Sequence, residues 1–268
     1  MLKKLFLVYR IIFIRKQFYK FNRFLYELGL RGLGIRNHET DYLSGEKYFL
    51  SLLRNSDPLV VIDVGANIGG YSENIKKANP KARIYAIEPQ PGNFDRLAAS
   101  AREWGYDAIN TALGDQEGRL KLYDYADSNG TQHASLYKDV IEDIHNSEAI
   151  SHEVDVQTLD VFVKENGIAA VDLLKIDVEG NEHKVLLGAK QTIACGIIDL
   201  IHFEFNEMNV VSRTFFKDFY DLLEGYRFYR MLPNGLIDLG QYKAYRMEIF
   251  AYQNIVAIRH SSRFMSQL

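Results

Sequence analysis

Four residues in one short stretch have the types and the spacing to hold a ligand that carries adenosine. In VVIDVGANIGGYS, the apolar run leads into Asp63, and Gly65, Asn67 and Gly69 follow at every second position. In an open parallel sheet, ligands bind where strands end at their carboxyl edge. An acid and flexible residues at such an end are compatible with two alternative ligands, a dinucleotide such as NAD or S-adenosylmethionine.

The dinucleotide fits this stretch poorly. The pattern G-x-G-x-x-G would use Gly65 and Gly70, but it needs a glycine in place of Asn67 so that the backbone can approach a pyrophosphate. Asp63 would also repel the pyrophosphate, at a cost on the order of 1 kcal/mol. S-adenosylmethionine has no phosphate and carries two cationic groups, so an acid suits it. The residues expected to bind it here are Asp63, Gly65, Ala66, Asn67, Gly69 and Tyr71.

A second acid, Glu88, follows the next apolar stretch, ARIYAI, about twenty residues further along the chain. A carboxylate there can accept hydrogen bonds from both ribose hydroxyls of an adenosine, although an NAD site uses an acid in the same way. Pro89 turns the chain away from the strand. The third stretch, INTALGD, would bring Asn110, Ala112 and Leu113 close to the adenine ring.

Methyl transfer from S-adenosylmethionine would make particular demands on the rest of the site. The accepting atom must lie roughly 3 Å from the methyl carbon, in line with the sulfur. If that atom is a hydroxyl oxygen, a base that removes its proton contributes roughly 10²–10⁴-fold. Aromatic side chains would keep the reacting atoms dry, and Tyr71, Phe203 and Phe205 are the candidates.

Carboxylates at two later strand ends are the candidates for catalysis. In KIDVEG, strand alternation places Lys175, Asp177 and Glu179 on one face, and IHFEFN presents His202 and Glu204 in the same way. We expect Glu204 or Asp177 to act as the general base or to orient an acceptor, and Asp177 also to contact the cofactor. Lys175, Glu179 and His202 are expected to contact the substrate. A cap of the following helix is the alternative role for Asp177.

His133 is a further candidate base. It lies in the polar stretch 123–155, which has little periodicity, and an imidazole has a pKa suited to proton transfer near neutral pH. The histidines of the chain lack a regular ligand spacing, so no metal site is expected. Magnesium held by Asp177, Glu179 and Glu204 is the alternative.

Apolar stretches alternate with helical stretches along the chain, from LVVIDVG to IIDLIHFEF. This alternation predicts an α/β fold in which helices cover both faces of a largely parallel sheet. The last two apolar stretches, YRFYRML and NIVAIRH, are separated by the turn signal LPNGL and by no helical stretch, which predicts an antiparallel hairpin at one sheet edge. We expect a basic helical extension over residues 1–45 and one domain over residues 46–268.

Composition sets broad limits on the protein. A chain of 268 residues is long enough for one large α/β domain with an appendage, and a net charge of −3 gives no overall case for nucleic-acid binding. The single cysteine, Cys195, excludes an internal disulfide framework, and its apolar stretch TIACGII predicts that it is buried. One cysteine also fits a reducing cytoplasm.

The charge is unevenly distributed. Residues 1–36 contain nine of the 32 basic residues and one of the 35 acidic residues, Glu27. The apolar run LFLVYRIIFI is interrupted by Arg10, is too short to span a bilayer and precedes no signal-peptide cleavage site. We therefore expect one or two helices over residues 2–30 that cap the domain or pair with a second copy in a homodimer. Contact with a membrane surface is the alternative.

Six blocks of the sequence together resemble the FkbM-type methyltransferases. They follow one another from about residue 60 to about residue 207, a little over half of the chain. The blocks are VVIDVGANIGGYS, IYAIEPQPGNFDRL, NTALGDQEGRLKLY, VQTLDVFV, DLLKIDVEGNEHKVLLGA and IDLIHFEFNE. The first block is typical of many methyltransferases, whereas KIDVEGNEHKVLLGA after VQTLD is more specific.

The resemblance implies a Rossmann-like class I methyltransferase fold, with a seven-stranded, mostly parallel sheet and an antiparallel last strand. It implies S-adenosylmethionine as the cofactor and O-methylation of a hydroxyl, often on a sugar, a glycan or a polyketide product. It also suggests Ser135, at a small polar position of the family, as a substrate-binding residue. Residues 1–45 lie outside the resemblance.

The leading hypothesis is an S-adenosylmethionine-dependent O-methyltransferase that acts on a hydroxyl of a carbohydrate-like acceptor, either a small molecule or a glycan. A nicotinamide-dependent oxidoreductase and a non-catalytic S-adenosylmethionine-binding protein are the alternatives. We expect a cytoplasmic protein, with the membrane surface as the second location.

Overall fold

The computed structural model describes residues 2–125 and 149–267, with side chains for residues 3–123 and 151–266. The strands are β1 (Val60–Val64), β2 (Arg83–Ile87), β3 (Asp107–Ile109), β4 (Ala112–Leu113), β5 (Gly118–Tyr125), β6 (Ala149–Gln157), β7 (Val171–Ile176), β8 (Ile198–Phe205), β9 (Tyr226–Leu232), β10 (Gly235–Asp238) and β11 (Gln253–Arg259). The α-helices are α1 (Leu2–Phe13), α2 (Tyr19–Gly32), α3 (Glu46–Leu52), α4 (Gly70–Ala78), α5 (Pro91–Trp104), α6 (Leu159–Glu165), α7 (Glu182–Leu187), α8 (Lys190–Ala194), α9 (Met208–Val211), α10 (Phe216–Leu222) and α11 (Ala244–Met247). Short 3₁₀ helices occur at Lys16–Phe18 and Arg263–Gln267.

Eight of these strands form the main sheet, in the order β10-β9-β11-β8-β7-β1-β2-β3. Strands β3, β2, β1, β7 and β8 run parallel to one another, whereas β11 is antiparallel to both β8 and β9. From β1 the chain first builds the sheet through β2 and β3, and then returns to the other side of β1 with β7. The carboxyl ends of β1 and β7 therefore flank the crevice where open α/β sheets bind ligands.

The observed sheet confirms the expected α/β fold class and adds one edge strand to the seven expected. The added strand is β10, which forms an antiparallel hairpin with β9, with Gly235 opposite Leu232. The stretch NIVAIRH, expected in that hairpin, lies instead in β11 between β8 and β9. β11 is buried along nearly its whole length, as a central strand must be, whereas β10 is half-exposed and suits an edge.

Aromatic packing holds α10 against β8. Phe203 and Phe205 of β8 pack on Phe216 and Phe219 of α10, and the rings of Phe203 and Phe219 stack with their centroids 4.5 Å apart. Phe203 and Phe205 are fully buried in this core, so the expectation that they form walls of the reaction site was wrong. Strand alternation sends the polar side chains of β8 to the opposite face of the sheet.

Local sequence signals set the ends of the helices beside the site. The side chain of Gln90 accepts a hydrogen bond from the backbone N–H of Asn93 at 2.6 Å, and Pro91 is the first residue of α5. This helix ends at Gly105, which has a φ of +74°. Cys195 follows α8 and is exposed, contrary to the expected burial, because a residue at a helix end lies in a surface turn.

The third apolar stretch contributes to two sheets. DAINTALG, expected as one strand, is divided so that β3 ends at Ile109 and β4 begins at Ala112. β4 joins a second sheet of the order β4-β6-β5, in which β5 and β6 form an antiparallel hairpin. The ends of the polar stretch 123–155 are thus paired strands. His133 and Ser135 lie outside the described residues.

The N-terminal extension is a pair of helices joined to the main body at its C-terminal end. The hydroxyl of Tyr9 in α1 donates a hydrogen bond to Asn22 in α2. Leu30 and Ile35 are buried together with Ala251, which fastens the end of α2 to the segment that precedes β11. Among the described helices, none is both long enough and apolar enough to cross a membrane.

Candidate functional site

The loop between β1 and α4 has backbone angles that glycine and asparagine accept more easily than other residues. Gly65, Asn67 and Gly69 have φ values of +79°, +51° and +100°. A Cβ atom at Gly65 would lie 1.8 Å from the carbonyl oxygen of Asp177, so no larger residue fits there. At Gly69 a Cβ atom would lie 2.3 Å from the hydroxyl oxygen of Tyr106. The loop therefore passes directly against the residue that follows β7.

Glu88 connects this loop to the end of β2. Its carboxylate accepts hydrogen bonds from the backbone N–H of Asn67 and from the backbone N–H of Gln90, both at 2.9 Å. The side-chain amide of Asn110 donates to the carbonyl oxygen of Glu88 at 2.9 Å and to that of Pro89 at 3.3 Å. Asn110 thus supports the site by holding the backbone after β2.

An inner pocket lies between the ends of β1, β2 and β7. Seven residues of the expected cofactor site line it: Gly65, Asn67, Glu88, Pro89, Ala112, Leu113 and Asp177. Seven further lining residues were not predicted from the sequence: Val64, Ile87, Asn93, Thr111, Leu122, Val178 and Asn181. Of these, Asn181 could have been noticed from its place after the glycine in the specific block DVEGNE.

The chemistry of the inner pocket fits an adenosine group. The buried Oδ1 atoms of Asn67 and Asn181 have no hydrogen-bond partner among the described residues. Buried polar atoms nearly always have a partner, so unpaired acceptors in a pocket indicate a ligand that donates hydrogen bonds. Ribose hydroxyls and the adenine amino group are such donors, and Ala112, Leu113 and Leu122 offer apolar contact to the base.

An outer cleft of about 650 Å³ adjoins the inner pocket, and the two share Gly65, Asn67, Asp177 and Glu179. Its acidic lining residues are Glu46, Asp63, Asp177, Glu179, Glu204 and Glu207. Its ring-bearing lining residues are His38, Tyr71 and Tyr252. Ala66, also expected at the cofactor, lines this cleft as well. The two cavities therefore form one continuous site across the ends of β1, β7 and β8.

Asp63 is buried at the rear of this cleft. Its carboxylate accepts a hydrogen bond from the hydroxyl of Ser72 at 2.7 Å, and its side chain is 1% exposed. Burial raises the pKa of Asp63 to about 6, although Lys175 and Ser72 both act to lower it. Asp63 therefore contributes negative charge to the cleft only when the pH exceeds about 6.

Lys175 is a buried cation surrounded by the carboxylates of the cleft. Its Nζ atom lies 3.0 Å from Oδ2 of Asp177 and 5.3 Å from the centre of the Tyr71 ring. Burial alone would lower the pKa of Lys175, but Asp177 and Glu204 outweigh burial and raise it. The ammonium group thus stays charged, and its ion pair holds the Asp177 carboxylate. The alternative that Asp177 caps the following helix receives no support, because its carboxylate bonds to Lys175.

Two glutamates of the cleft have pKa values that burial moves upward. The pKa of Glu204 is raised well above its ordinary value, first by burial and then by the neighbouring charge of Asp177. The pKa of Glu46 is raised to about 7 by burial, with Lys175 opposing the shift. A carboxylate with a raised pKa can take up a proton near neutral pH. Glu46 gave no sequence signal, because it begins α3, far from the strand ends that form the rest of the site.

His202 lies beneath the cleft and not in it. Its side chain is fully buried, its Nδ1 atom lies 3.0 Å from the Tyr71 hydroxyl, and its Nε2 atom lies 3.1 Å from Oδ1 of Asn254. The amide oxygen accepts the Nε2 proton, so Nδ1 accepts from Tyr71. Burial lowers the pKa of His202 well below its ordinary value, so the ring is neutral. The expected contact of His202 with substrate is therefore corrected: the histidine positions Tyr71.

A tight turn after β7 brings Glu179 to both cavities. Glu179 and Gly180 have φ values of +52° and +100°. The buried carboxylate of Glu182 accepts hydrogen bonds from the backbone N–H groups of Val178 and Gly180, both at 3.1 Å. Burial raises the pKa of Glu182 to about 7, against the lowering effect of these bonds. Glu182 thus holds the turn from inside the protein.

Within the residues that the structure describes, no group of three histidine, cysteine, aspartate or glutamate side chains has a geometry suited to a metal ion. The carboxylates of Asp177, Glu179 and Glu204 line the cleft without forming such a group. Oδ2 of Asp177 is already paired with the ammonium group of Lys175.

The parallel sheet with an antiparallel strand inserted between β8 and β9, and a pocket suited to adenosine at the switch point, define a Rossmann-like methyltransferase. Residues 63–228 match the family described as "Methyltransferase FkbM domain", and the chain belongs to that family. Membership makes the protein a methyltransferase enzyme and implies S-adenosylmethionine as the methyl donor. It also confirms the family resemblance noted in the sequence.

Several relatives have named activities. The "2-O-methyltransferase NoeI" of Sinorhizobium fredii is 28% identical over 220 residues, which cover 76% of this chain and 86% of that protein. The "31-O-demethyl-FK506 methyltransferase FkbM" of Streptomyces tacrolimicus is 30% identical over 154 residues, which cover 49% of this chain and 59% of that protein. The "Methyltransferase sdnD" of Sordaria araneosa is 30% identical over 161 residues, 51% of this chain and 62% of that protein.

Solved structures are similar at low sequence identity. The precorrin-6y C5,15-methyltransferase from Geobacter metallireducens has a TM-score of 0.44 and 12% identity, with 84% of this chain and 91% of that chain covered. The M. jannaschii TYW2 structure in complex with AdoMet has a TM-score of 0.40 and 15% identity, with 80% of this chain and 73% of that chain covered.

Proposed function

We propose that the protein transfers a methyl group from S-adenosylmethionine to a hydroxyl of a carbohydrate-like acceptor. The observation that carries this proposal is the direct connection of two unlike cavities. The inner pocket suits adenosine, the outer cleft offers carboxylates and aromatic rings, and Asp177 and Glu179 belong to both. A methyl group can pass between two bound molecules only where their sites meet in this way.

The inner pocket and the adjoining loop would hold the donor. Glu88 is oriented by two backbone N–H groups, and an ionised carboxylate has further acceptor positions for the ribose hydroxyls. The unpaired oxygens of Asn67 and Asn181 would receive hydrogen bonds from the same ligand. Asp63 would supply negative charge near the ammonium group of the donor's methionine part. When bound, the donor supplies an electrophilic methyl group on a cationic sulfur.

The outer cleft would hold the acceptor. Its carboxylates can accept hydrogen bonds from several hydroxyls, and Tyr71 and Tyr252 offer faces against which a sugar ring can pack. The excess of acidic residues disfavours an acceptor that carries phosphate, because like charges repel strongly in a partly buried site. A neutral sugar or an amino sugar fits the cleft better. The names of two relatives, a 2-O-methyltransferase and a 31-O-demethyl-FK506 methyltransferase, support an oxygen as the accepting atom.

Glu204 would receive the proton that the acceptor hydroxyl loses. Its raised pKa makes its carboxylate a stronger base than an exposed glutamate, and it lies at the end of β8, next to the shared part of the two cavities. Asp177, held by Lys175, would orient the hydroxyl. Glu46 lines the same cleft and is the competing base. The roles predicted for His133 and Ser135 stay predictions, since both residues lie outside the described part of the chain.

A labelled methyl donor tests the proposal directly. The protein would be incubated with the donor and with matched sets of neutral sugars, amino sugars, nucleotide sugars and catechols, and the methylated atom would be identified by mass spectrometry. We expect O-methylation of a neutral sugar or an amino sugar and none of the nucleotide sugars. At a limiting concentration of donor, Glu88→Ala should lower the activity by weakening donor binding, whereas the exposed Glu103→Ala on α5 should retain it. Methylation of nitrogen or carbon, or of catechols alone, would contradict the proposal.

A further inference from the structure

Most of the large apolar side chains that are exposed in the described part of the chain belong to the N-terminal hairpin, residues 2–33. Twenty large apolar side chains are exposed among the described residues, and fourteen of them lie between Leu5 and Leu33. In α1, Phe6 is 60% exposed and Ile11 is 61% exposed. Exposed apolar surface of this extent marks a site of protein or membrane contact. The methyltransferase site does not use this surface.

The same hairpin has a net positive charge, whereas the rest of the chain has a net negative charge. Residues 2–33 contain eight basic residues and one acidic residue, whereas the remainder of the chain contains 24 basic and 34 acidic residues. The one acid, Glu27, is paired with Arg36 at 2.5 Å. The molecule is thus polarised, with a basic hairpin attached to an acidic body.

We propose that the N-terminal hairpin docks the protein on the surface of a membrane that contains anionic lipid. Helices that lie in a membrane interface combine large apolar side chains with lysine and arginine, whose charged ends reach the lipid headgroups. Negatively charged lipids attract such basic segments. The hairpin lies on the membrane and does not span it, in agreement with the absence of a spanning helix among the described residues.

Charge decides between this partner and two others. A second copy of the chain would bring one basic hairpin against another, and the repulsion between them would oppose the contact. A nucleic acid would neutralise the basic residues but would leave Leu5, Phe6 and Ile11 exposed to water. An anionic membrane matches both the charge and the apolar surface.

The hairpin is attached close to the outer cleft. Leu30 and Ile35 are buried with Ala251, and the backbone N–H of Arg36 donates to the carbonyl oxygen of Tyr252 at 2.7 Å. Tyr252 lines the cleft. Docking would therefore fasten the body to the lipid surface through a segment that adjoins the cleft, an arrangement that suits an acceptor carried on a lipid. This consequence rests on the proposed function, whereas the docking itself does not.

Co-sedimentation with vesicles tests the docking. The full chain would be mixed with vesicles of phosphatidylcholine alone and with vesicles of phosphatidylcholine and phosphatidylglycerol, at low and at high salt. We expect binding to the anionic vesicles that weakens at high salt and is at least about tenfold weaker on the neutral vesicles. No methyl donor or acceptor is present, so a failed result would leave the proposed methyl transfer unaffected.

Matched variants separate the hairpin from the rest of the surface. Phe6→Ser with Ile11→Ser should reduce vesicle binding at least about tenfold, whereas Tyr245→Ser, at a side chain that is 75% exposed on the body, should not. Lys3→Glu with Lys4→Glu should act like the first variant, and Lys164→Glu on α6 should not. The residues changed in α1 are exposed, so thermal melting should be unchanged.

Three outcomes would overturn the proposal. One is the absence of binding to either kind of vesicle. Another is a dimer, detected by light scattering, that Phe6→Ser with Ile11→Ser dissociates while vesicle binding persists; this would assign the hairpin to a second copy. The third is binding to a double-stranded oligonucleotide that exceeds binding to vesicles and is insensitive to the apolar variant, which would assign the hairpin to nucleic acid.

Discussion

The carboxylate of Glu88 accepts a hydrogen bond from the backbone N–H of Asn67 at 2.9 Å, so the end of β2 holds the loop that follows β1. One residue thereby shapes the inner pocket and also lines it. The proposed contact with the ribose depends on this double role. Loss of the carboxylate should therefore disturb both the loop and the ligand contact.

Glu88→Ala should weaken the binding of S-adenosylhomocysteine by about 10–100-fold, because hydrogen bonds to a charged group contribute about 1.5–3 kcal/mol. Glu88→Gln should have a smaller effect, since its amide oxygen can still accept the bond from Asn67. Calorimetric titration measures both affinities, with the exposed Glu103→Ala as the control. Unchanged affinity of a folded Glu88→Ala protein would refute the ribose assignment.

Gly65→Ala should destabilise the protein strongly, because its Cβ atom would lie 1.8 Å from the carbonyl oxygen of Asp177 at a φ of +79°. The matched control is Gly70→Ala, where nothing lies within 4 Å of the added Cβ atom and the residue is already helical. Thermal melting should show a large decrease for Gly65→Ala and little change for Gly70→Ala. Equal melting temperatures would show that the loop can move away from β7.

Tyr71→Phe should lower the free energy of unfolding by about 1–3 kcal/mol, the cost of leaving a buried polar atom without its partner. The atom is Nδ1 of His202, which loses the hydroxyl at 3.0 Å. Burial raises the pKa of Tyr71 well above its ordinary value, so the wild-type hydroxyl stays protonated and can donate. Urea denaturation measures the change, and the exposed Tyr245→Phe is the control. A loss no larger than that of the control would mean that His202 finds another donor.

Glu204→Gln should lower kcat by roughly 10²-fold or more and leave donor binding nearly unchanged, because a general base contributes roughly 10²–10⁴-fold. A base acts only when deprotonated, and a raised pKa keeps Glu204 protonated to higher pH. In the wild type, kcat should therefore rise with pH through values above the ordinary range of a glutamate. Glu46→Gln removes a carboxyl group whose pKa is about 7, and this variant should retain most of the activity. The reverse ranking of the two variants would move the base to Glu46.

Glu182→Gln should change how stability depends on pH. The folded-state pKa of Glu182 is raised from 4.5 to about 7, so its contribution to stability is complete below about 4.5 and is lost as the pH rises through about 7. The variant should therefore become more stable relative to wild type across that range, by on the order of 3 kcal/mol. Denaturation at a series of pH values measures this, with the exposed Glu165→Gln as the control. A constant difference across the range would contradict the raised pKa.

The strand–helix alternation and the ends of the buried strands could be predicted because burial leaves a direct record in the sequence. The runs at β1, β2, β7 and β8 are apolar since both faces of a parallel sheet are covered. The positive-φ positions were visible as Gly65 and Asn67, which few residue types can replace. These local patterns sufficed for the fold class, the family and most of the inner pocket.

Other parts of the site could not be predicted, because they come from segments that are far apart in the chain. Glu46 and Tyr252 reach the outer cleft from elements at opposite ends of the chain, and neither has a local pattern that sets it apart. The sequence also failed to predict that β10, and not β11, forms the edge hairpin with β9. Strand order depends on which strand can be buried on both faces, and this is decided by the packing of the whole sheet. Alternation placed His202 on the correct face of β8, but it could not show that Tyr71 would cover it.

By itself, the sequence determined which residue types meet at the ends of the first two strands. A strand that ends in an acid and continues through glycines is compatible with few kinds of loop and few kinds of ligand. Only the tertiary structure decided which carboxylates share the cleft and what their pKa values become. Burial and neighbouring charge set those values, and both depend on segments far apart in the chain, such as Glu46 and Glu204 around Lys175.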